Sequence, residues 1–167
     1  MSTYNLAQLN VGRAVAPMDD PQMAGFVGWL DEINALAERS PGFVWRLKGD
    51  NGNNTELKVT NDPQFIVNLS VWDSVDALHA FTYGSDHKTV FARRYDWFER
   101  RQTPNTVLWW QPAGTIPNIH AALGRLRRLT DLGPTTEAFT FKQRFAPPNA
   151  TSSPPLGVDD SQVARST

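Results

Sequence analysis

The sequence predicts an α+β sandwich of the split βαβ kind, ferredoxin-like in its order. Three observations lead there. Apolar residues alternate in short extended runs, and they recur at three- and four-residue steps in longer ones. The two kinds of segment succeed one another as strand, helix, strand, strand, helix pair, strand, with a helix and a strand appended. The 167 residues suit one domain, residues 1–145, and a Pro- and Ser-rich tail at 146–167 that is expected to be disordered.

Residues 4–11 alternate loosely and read as the first strand, with Leu6, Gln8 and Asn10 on one face and Ala7, Leu9 and Val11 on the other. Asp20-Pro21 supplies a helix cap and a first-turn proline. Met23, Phe26, Val27, Leu30, Ile33 and Ala37 then form one apolar stripe, and Ser40-Pro41-Gly42 ends the helix. Extended segments follow at 43–48 and 64–72. The polar, Asn- and Gly-rich connector at 49–63 fits either a long hairpin loop or two short strands with a turn. Ser74 opens a second helix, Tyr83-Gly84 interrupts it, and Ser85 fits a new N-cap for a helix over 86–101. Residues 105–111 form an apolar strand ended by Pro112-Ala113-Gly114. The segment 117–130 is helical, with Ile119, Leu123, Leu126 and Leu129 inward and Arg125, Arg127 and Arg128 outward, and 138–145 reads as an edge strand. In this topology the first and third strands are neighbours. Helices cover one face of the sheet, and the other face is commonly covered by a second subunit.

Sixteen Lys and Arg against 17 Asp and Glu give a net charge of −1, which argues against a nucleic-acid or anionic-membrane partner. With no cysteine, disulfides, thiolate chemistry and Cys-based metal sites are excluded. No run approaches the roughly 20 apolar residues of a membrane span, and the first residues lack the pattern of a signal peptide. A cytoplasmic location is expected. Six Trp and nine Phe call for a core or an aromatic-lined cavity.

The third strand carries the functional reading. Phe65, Val67, Leu69 and Val71 suit a helix-packed face, while Ile66, Asn68, Ser70 and Trp72 make a mixed polar and aromatic one. Gln8 and Asn10 extend that second surface from the neighbouring strand. Amides and a hydroxyl beside large rings can orient an amphipathic ligand; the plainer alternative is a solvent- or partner-facing sheet. His87, at a helix start, shares a face with Phe91, Arg94 and Phe98, where the helix dipole favours a neutral imidazole. Such a ring can act as a general base, donate a hydrogen bond or ligate haem iron, or it can simply bond to the preceding loop. Arg94 can pair with a carboxylate or a propionate, although the run Arg93, Arg94, Tyr95, Trp97, Arg100, Arg101 also suits a solvated face. His79 and His120 read as surface residues. Of Trp109 and Trp110, one should face the helices and the other the open side. Gly-rich phosphate loops, a nucleophile elbow and paired metal-binding histidines are missing from the sequence.

Several blocks in order also carry a resemblance: Leu6-Ala7-Gln8-Leu9-Asn10-Val11, Gly42-Phe43-Val44-Trp45-Arg46-Leu47, Asn68-Leu69-Ser70-Val71-Trp72, Ser85-Asp86-His87 within 81–98, and Glu137-Ala138-Phe139-Thr140-Phe141. They resemble a bacterial domain-of-unknown-function family, number 3291, similar to the dimeric α/β-barrel superfamily that includes antibiotic-biosynthesis monooxygenases. The resemblance spans residues 4–145 and implies a homodimer. It also implies that His87 is the acid–base residue or haem ligand and that Asn10 assists oxygen chemistry. The appended helix and strand depart from the minimal barrel.

The leading expectation is a small-molecule enzyme, a monooxygenase-like oxidoreductase or cyclase, acting on a hydrophobic or aromatic substrate in the barrel cavity. His87 and Asn10 are its catalytic candidates. Gln8, Asn68, Ser70, Trp72, Phe91, Arg94 and Trp110 are expected to bind substrate. Cofactor-free chemistry is possible because an electron-rich substrate anion can itself reduce oxygen. One alternative is a haem-binding enzyme with His87 as axial ligand, and another is a non-catalytic ligand-binding or stress-response protein.

Overall fold

The computed structural model describes residues 2–49, 60–84 and 86–148. Four strands, β1 (Tyr4–Arg13), β2 (Phe43–Arg46), β3 (Phe65–Trp72) and β4 (Thr106–Pro112), form one antiparallel sheet in the order β2-β3-β1-β4. Four α-helices accompany them: α1 (Ala24–Arg39), α2 (Val75–Gly84), α3 (His87–Ala92) and α4 (Ile119–Leu132). The order is that of the expected ferredoxin-like α+β sandwich. The Ser85 cap, the centre of the 49–63 connector and the tail from 149 onward lie outside the described residues.

Register decides which side chains share a face. Gln8 stands opposite Ser70, Asn10 opposite Asn68, and Leu6 between Trp72 and Trp110. The alternate positions, Ala7, Leu9, Val11, Val67, Leu69, Val71, Val107 and Trp109, are all buried together. Their cover is α4, whose Ala122, Leu126 and Leu129 pack on them from the same chain. The sequence expects helices on that apolar face and a second subunit commonly on the other; the structure has helices on both. The appended helix fills the apolar side, and α1, α2 and α3 stand over the mixed polar face. Closing a barrel with a second copy through the apolar face would require displacing α4.

Local differences have local causes. The expected helix over 86–101 stops at Ala92 and a single 3-10 turn follows at Arg94–Asp96. Trp97 then turns inward against Ala14, Ala16 and Met23, and Phe98 bridges to Ala14, both contacts that a continuing helix would forfeit. The expected edge strand at 138–145 is reduced to isolated bridges, Phe139 with Leu108 and Ala138 with Thr135. Phe139 is fully buried against Leu6 and Leu108, so the segment serves as an apolar plug. Arg125 does not point outward: its guanidinium lies 5.2 Å from the Trp109 ring centre, and Nη1 donates to the Glu137 carbonyl at 2.6 Å. Val27, expected in the α1 stripe, is exposed. Asp20 caps as expected, accepting from the Gln22 amide at 2.8 Å. Gly42 at φ 84° lets β2 start against α2, where a Cβ would sit 2.5 Å from the Ala77 Cβ.

Burial of α4 sets a measurable stability. Leu126 is 5% exposed on the apolar face, and Leu126→Ala is expected to destabilise the fold by about 2–5 kcal/mol in urea unfolding. An unchanged midpoint would mean that α4 does not pack on the sheet.

Candidate functional site

Helix α1 does not lie flat on the sheet. Its 16 residues span ~24 Å, and they are anchored mainly near the two ends. At the N-terminal end Met23 is buried with Trp97, beside Phe26, Trp29 and Phe98. At the other end Ala37 is buried with Leu6, Trp72 and Leu78. Between these anchors Leu30, Ile33 and Asn34 look across a cavity of about 610 Å³ toward the strands. The floor beneath them includes Gln8, Asn10, Gly12, Asn68 and Ser70. Phe98 closes over Gly12, where a Cβ would meet its ring at 2.8 Å.

Two groups of hydrogen bonds hold most of the floor's polar side chains. Trp72 Nε1 donates to Ser70 Oγ at 3.0 Å, and Ser70 Oγ donates to Gln8 Oε1 at 2.9 Å. Asn10 Nδ2 donates to Thr106 Oγ1 at 2.7 Å. Trp72 is 1% exposed, stacked 5.2 Å from Phe81 and edge-on to Phe43 at 5.4 Å. Asn68 also lines the cavity but is exposed, so it lies toward the opening.

His87 stands on the opposite wall at the start of α3, half-buried between Phe81 at 4.8 Å and Phe91 at 6.1 Å. Burial pushes its pKa below the ordinary imidazole value, and its hydrogen bond to the Thr82 carbonyl opposes that only in part. With Nδ1 3.2 Å from the Thr82 oxygen, which can only accept, Nδ1 carries the proton of the neutral ring and Nε2 the lone pair. Arg94 also lines the cavity. Its guanidinium lies 4.2 Å from the Phe91 ring and 4.4 Å from the Tyr95 ring, and Nη1 donates to the Phe91 carbonyl at 2.9 Å. No described carboxylate pairs with it. Arg46, at the β2 edge, is instead tied to Glu38 at 2.8 Å.

The structure thus brings together Gln8, Asn10, Asn68, Ser70, Trp72, His87, Phe91 and Arg94 around one cavity. Trp110 stands apart. It is not among the lining residues; its Nε1 donates to the Phe145 carbonyl at 2.8 Å, and it packs with Phe139, Phe141 and Phe145. Sequence reasoning missed the α1 side of the cavity (Phe26, Leu30, Ile33, Asn34), which reads as an ordinary core stripe. Asn34, a polar residue one turn after Leu30 within that stripe, is the signal that could have marked it. Among the described residues, no group of three or more His, Asp or Glu is placed to hold a metal ion, and no helix is long and apolar enough to cross a membrane.

Fold and site define an α+β sandwich that keeps a ligand-sized, aromatic-walled cavity between its sheet and its first three helices. The chain belongs to the family described as Domain of unknown function (DUF3291), whose model matches residues 5–154. Among curated proteins none matches the chain. A solved structure of a protein of unknown function from Nitrosomonas europaea is 15% identical, covering 70% of this chain and 97% of that one at a TM-score of 0.43. A variant of SnoaB, a cofactor-independent oxygenase from Streptomyces nogalater, is 18% identical, covering 70% of this chain and 100% of that one at a TM-score of 0.42.

The His87 environment makes a titration test. The unfolded chain takes up this proton near the ordinary imidazole pKa, while the folded chain resists it to lower pH. The folded state therefore keeps its full stability above the ordinary value and loses stability as pH falls from there to the folded pKa. NMR titration is expected to give His87 a midpoint below the ordinary imidazole value, and His87→Gln to flatten this part of the pH-stability curve. An ordinary midpoint would place the ring in water.

Proposed function

We propose that this protein is a small-molecule enzyme of the monooxygenase-like kind, taking a hydrophobic, aromatic substrate into the sheet–helix cavity. The supporting observation is that a neutral, half-buried imidazole and a hydrogen-bonded polar floor face the same cavity of about 610 Å³. In this reading Phe81, backed by Trp72, and Phe91 bury the substrate rings, and Gln8, Asn10 and Asn68 hold its oxygen. His87 removes a proton through Nε2, keeping its orientation through the Thr82 carbonyl. The cation of Arg94 favours the anion so formed. Once desolvated among the rings, an electron-rich anion can reduce dioxygen itself, so the reading needs no bound cofactor. Neutrality at physiological pH matters: an imidazole that stayed protonated could not accept the proton.

The test is oxygen uptake with a panel of enolisable aromatic ketones and polyphenols. His87→Ala is expected to lower kcat by roughly 10²–10⁴-fold with a smaller change in KM. Wild-type activity is expected to fall as pH drops through the folded His87 pKa. Equal rates in the variant would remove His87 from the chemistry, and binding without turnover would favour a ligand-binding protein. A hemin titration belongs beside it: a Soret band that His87→Ala abolishes would replace the cofactor-free reading with a haem one.

A further inference from the structure

The direction of each hydrogen bond on the cavity floor follows from what its members are able to do. An indole N–H can only donate, so Trp72 Nε1 obliges Ser70 Oγ to accept. The Ser70 hydroxyl keeps a second lone pair and one proton, and because no other acceptor for that proton is bonded to it among the described residues, the proton goes to Gln8 at 2.9 Å. The amide atom facing Ser70 is therefore Gln8 Oε1. The other end of the amide, Nε2 with two N–H groups, is turned away from Ser70, and no hydrogen bond from it is formed among the described residues. A donor-only tryptophan, 1% exposed and held by Phe43 and Phe81, thus fixes the rotation of an amide one strand away. Ser70 is itself 6% exposed, so water has little room to replace either partner.

Gln8, Ser70 and Trp72 all border the cavity, with Ser70 directly opposite Gln8 on the neighbouring strand. We propose that Gln8 is a polarity-determining residue. Its Nε2 donates to a carbonyl oxygen of the ligand, or to the oxyanion that forms from it, and Trp72 and Ser70 are positioning residues that hold the amide in the donating orientation. This rests on the cavity being the ligand site. It adds a chemical requirement: the ligand must present an acceptor oxygen over β1, and an analogue offering only carbon there forfeits that hydrogen bond.

The experiment compares 9-fluorenone with fluorene, two rigid tricyclic probes that differ by one carbonyl oxygen. Affinities come from calorimetry, and the carbonyl stretch of bound fluorenone from infrared difference spectra. The wild type is expected to bind fluorenone about fivefold tighter than fluorene, the size of one net hydrogen bond, with the stretch shifted below its value in alkane solvent. Gln8→Leu is expected to keep fluorene binding, which shows that the variant folds, while losing the preference and the shift. Ser70→Ala should reduce both, and Ser70→Thr, which keeps the hydroxyl, should restore them. If both probes bind equally with an unshifted stretch, or if Gln8→Leu keeps the preference, the donor assignment is wrong and the cavity reading stands. If neither probe binds, the cavity reading fails and the proposal with it.

Discussion

The structure depends on how α1 is supported. A helix that lay flat on the sheet would bury its whole stripe and leave no room for a ligand. Here Met23, Phe26, Trp97 and Phe98 lift one end, while Ala37 meets Trp72, Leu78 and Phe81 at the other. Large rings at the ends and short polar side chains at the centre keep the span open. The aromatic content is thus divided between structural supports and cavity walls, and several rings serve as both. Trp72 belongs to the buried cluster and also anchors the hydrogen bonds of the floor.

That double use makes the site rigid where it is polar. Ser70 and Trp72 are buried, and no buried side-chain nitrogen or oxygen among the described residues is left without a hydrogen bond. Satisfied networks of this kind in a low-dielectric setting hold one orientation, because any other strands a buried donor or acceptor. The opposite wall is organised differently. The Thr82 carbonyl and the Phe81 and Phe91 rings help hold His87, and its burial favours the neutral form. Arg94 gains its position from ring faces and a carbonyl instead of a carboxylate, so its charge is not neutralised by a described partner.

The C-terminal helix changes what the other face of the sheet can do. Ala122, Leu126 and Leu129 cover the apolar side chains that an unaccompanied sheet would offer to a partner, and Arg125 lies across Trp109 at the rim. Following it, Phe139 and Phe145 close the end of the sheet near Leu108 and Trp110. The appended helix therefore acts on the fold as a built-in cover, while Thr140, Phe141 and Lys142 of the segment after it join the earlier elements in lining the cavity.

Much of this was legible in the residues alone. A continuous apolar run marked β4, and alternation fixed β1, β3 and the mixed face of Gln8, Asn10, Asn68, Ser70 and Trp72, because in a strand a side chain's face follows from its parity. His87, Phe91, Arg94 and Phe98, which one helix face would group, all line the cavity although that helix ends at Ala92. Parity could not say which helices cover which face, since α1 and α4 both present apolar stripes that match either side. Nor could it separate Trp109 from Trp110 by role, or reduce the segment at 138–145 to a plug: those outcomes turn on the one packing that buries Phe139 and Trp97. The sequence by itself determined the order of elements and the chemistry of each face. Tertiary structure decided that the polar face lies inside, because only the packed ends of α1 hold it away from the sheet and leave a cavity between them.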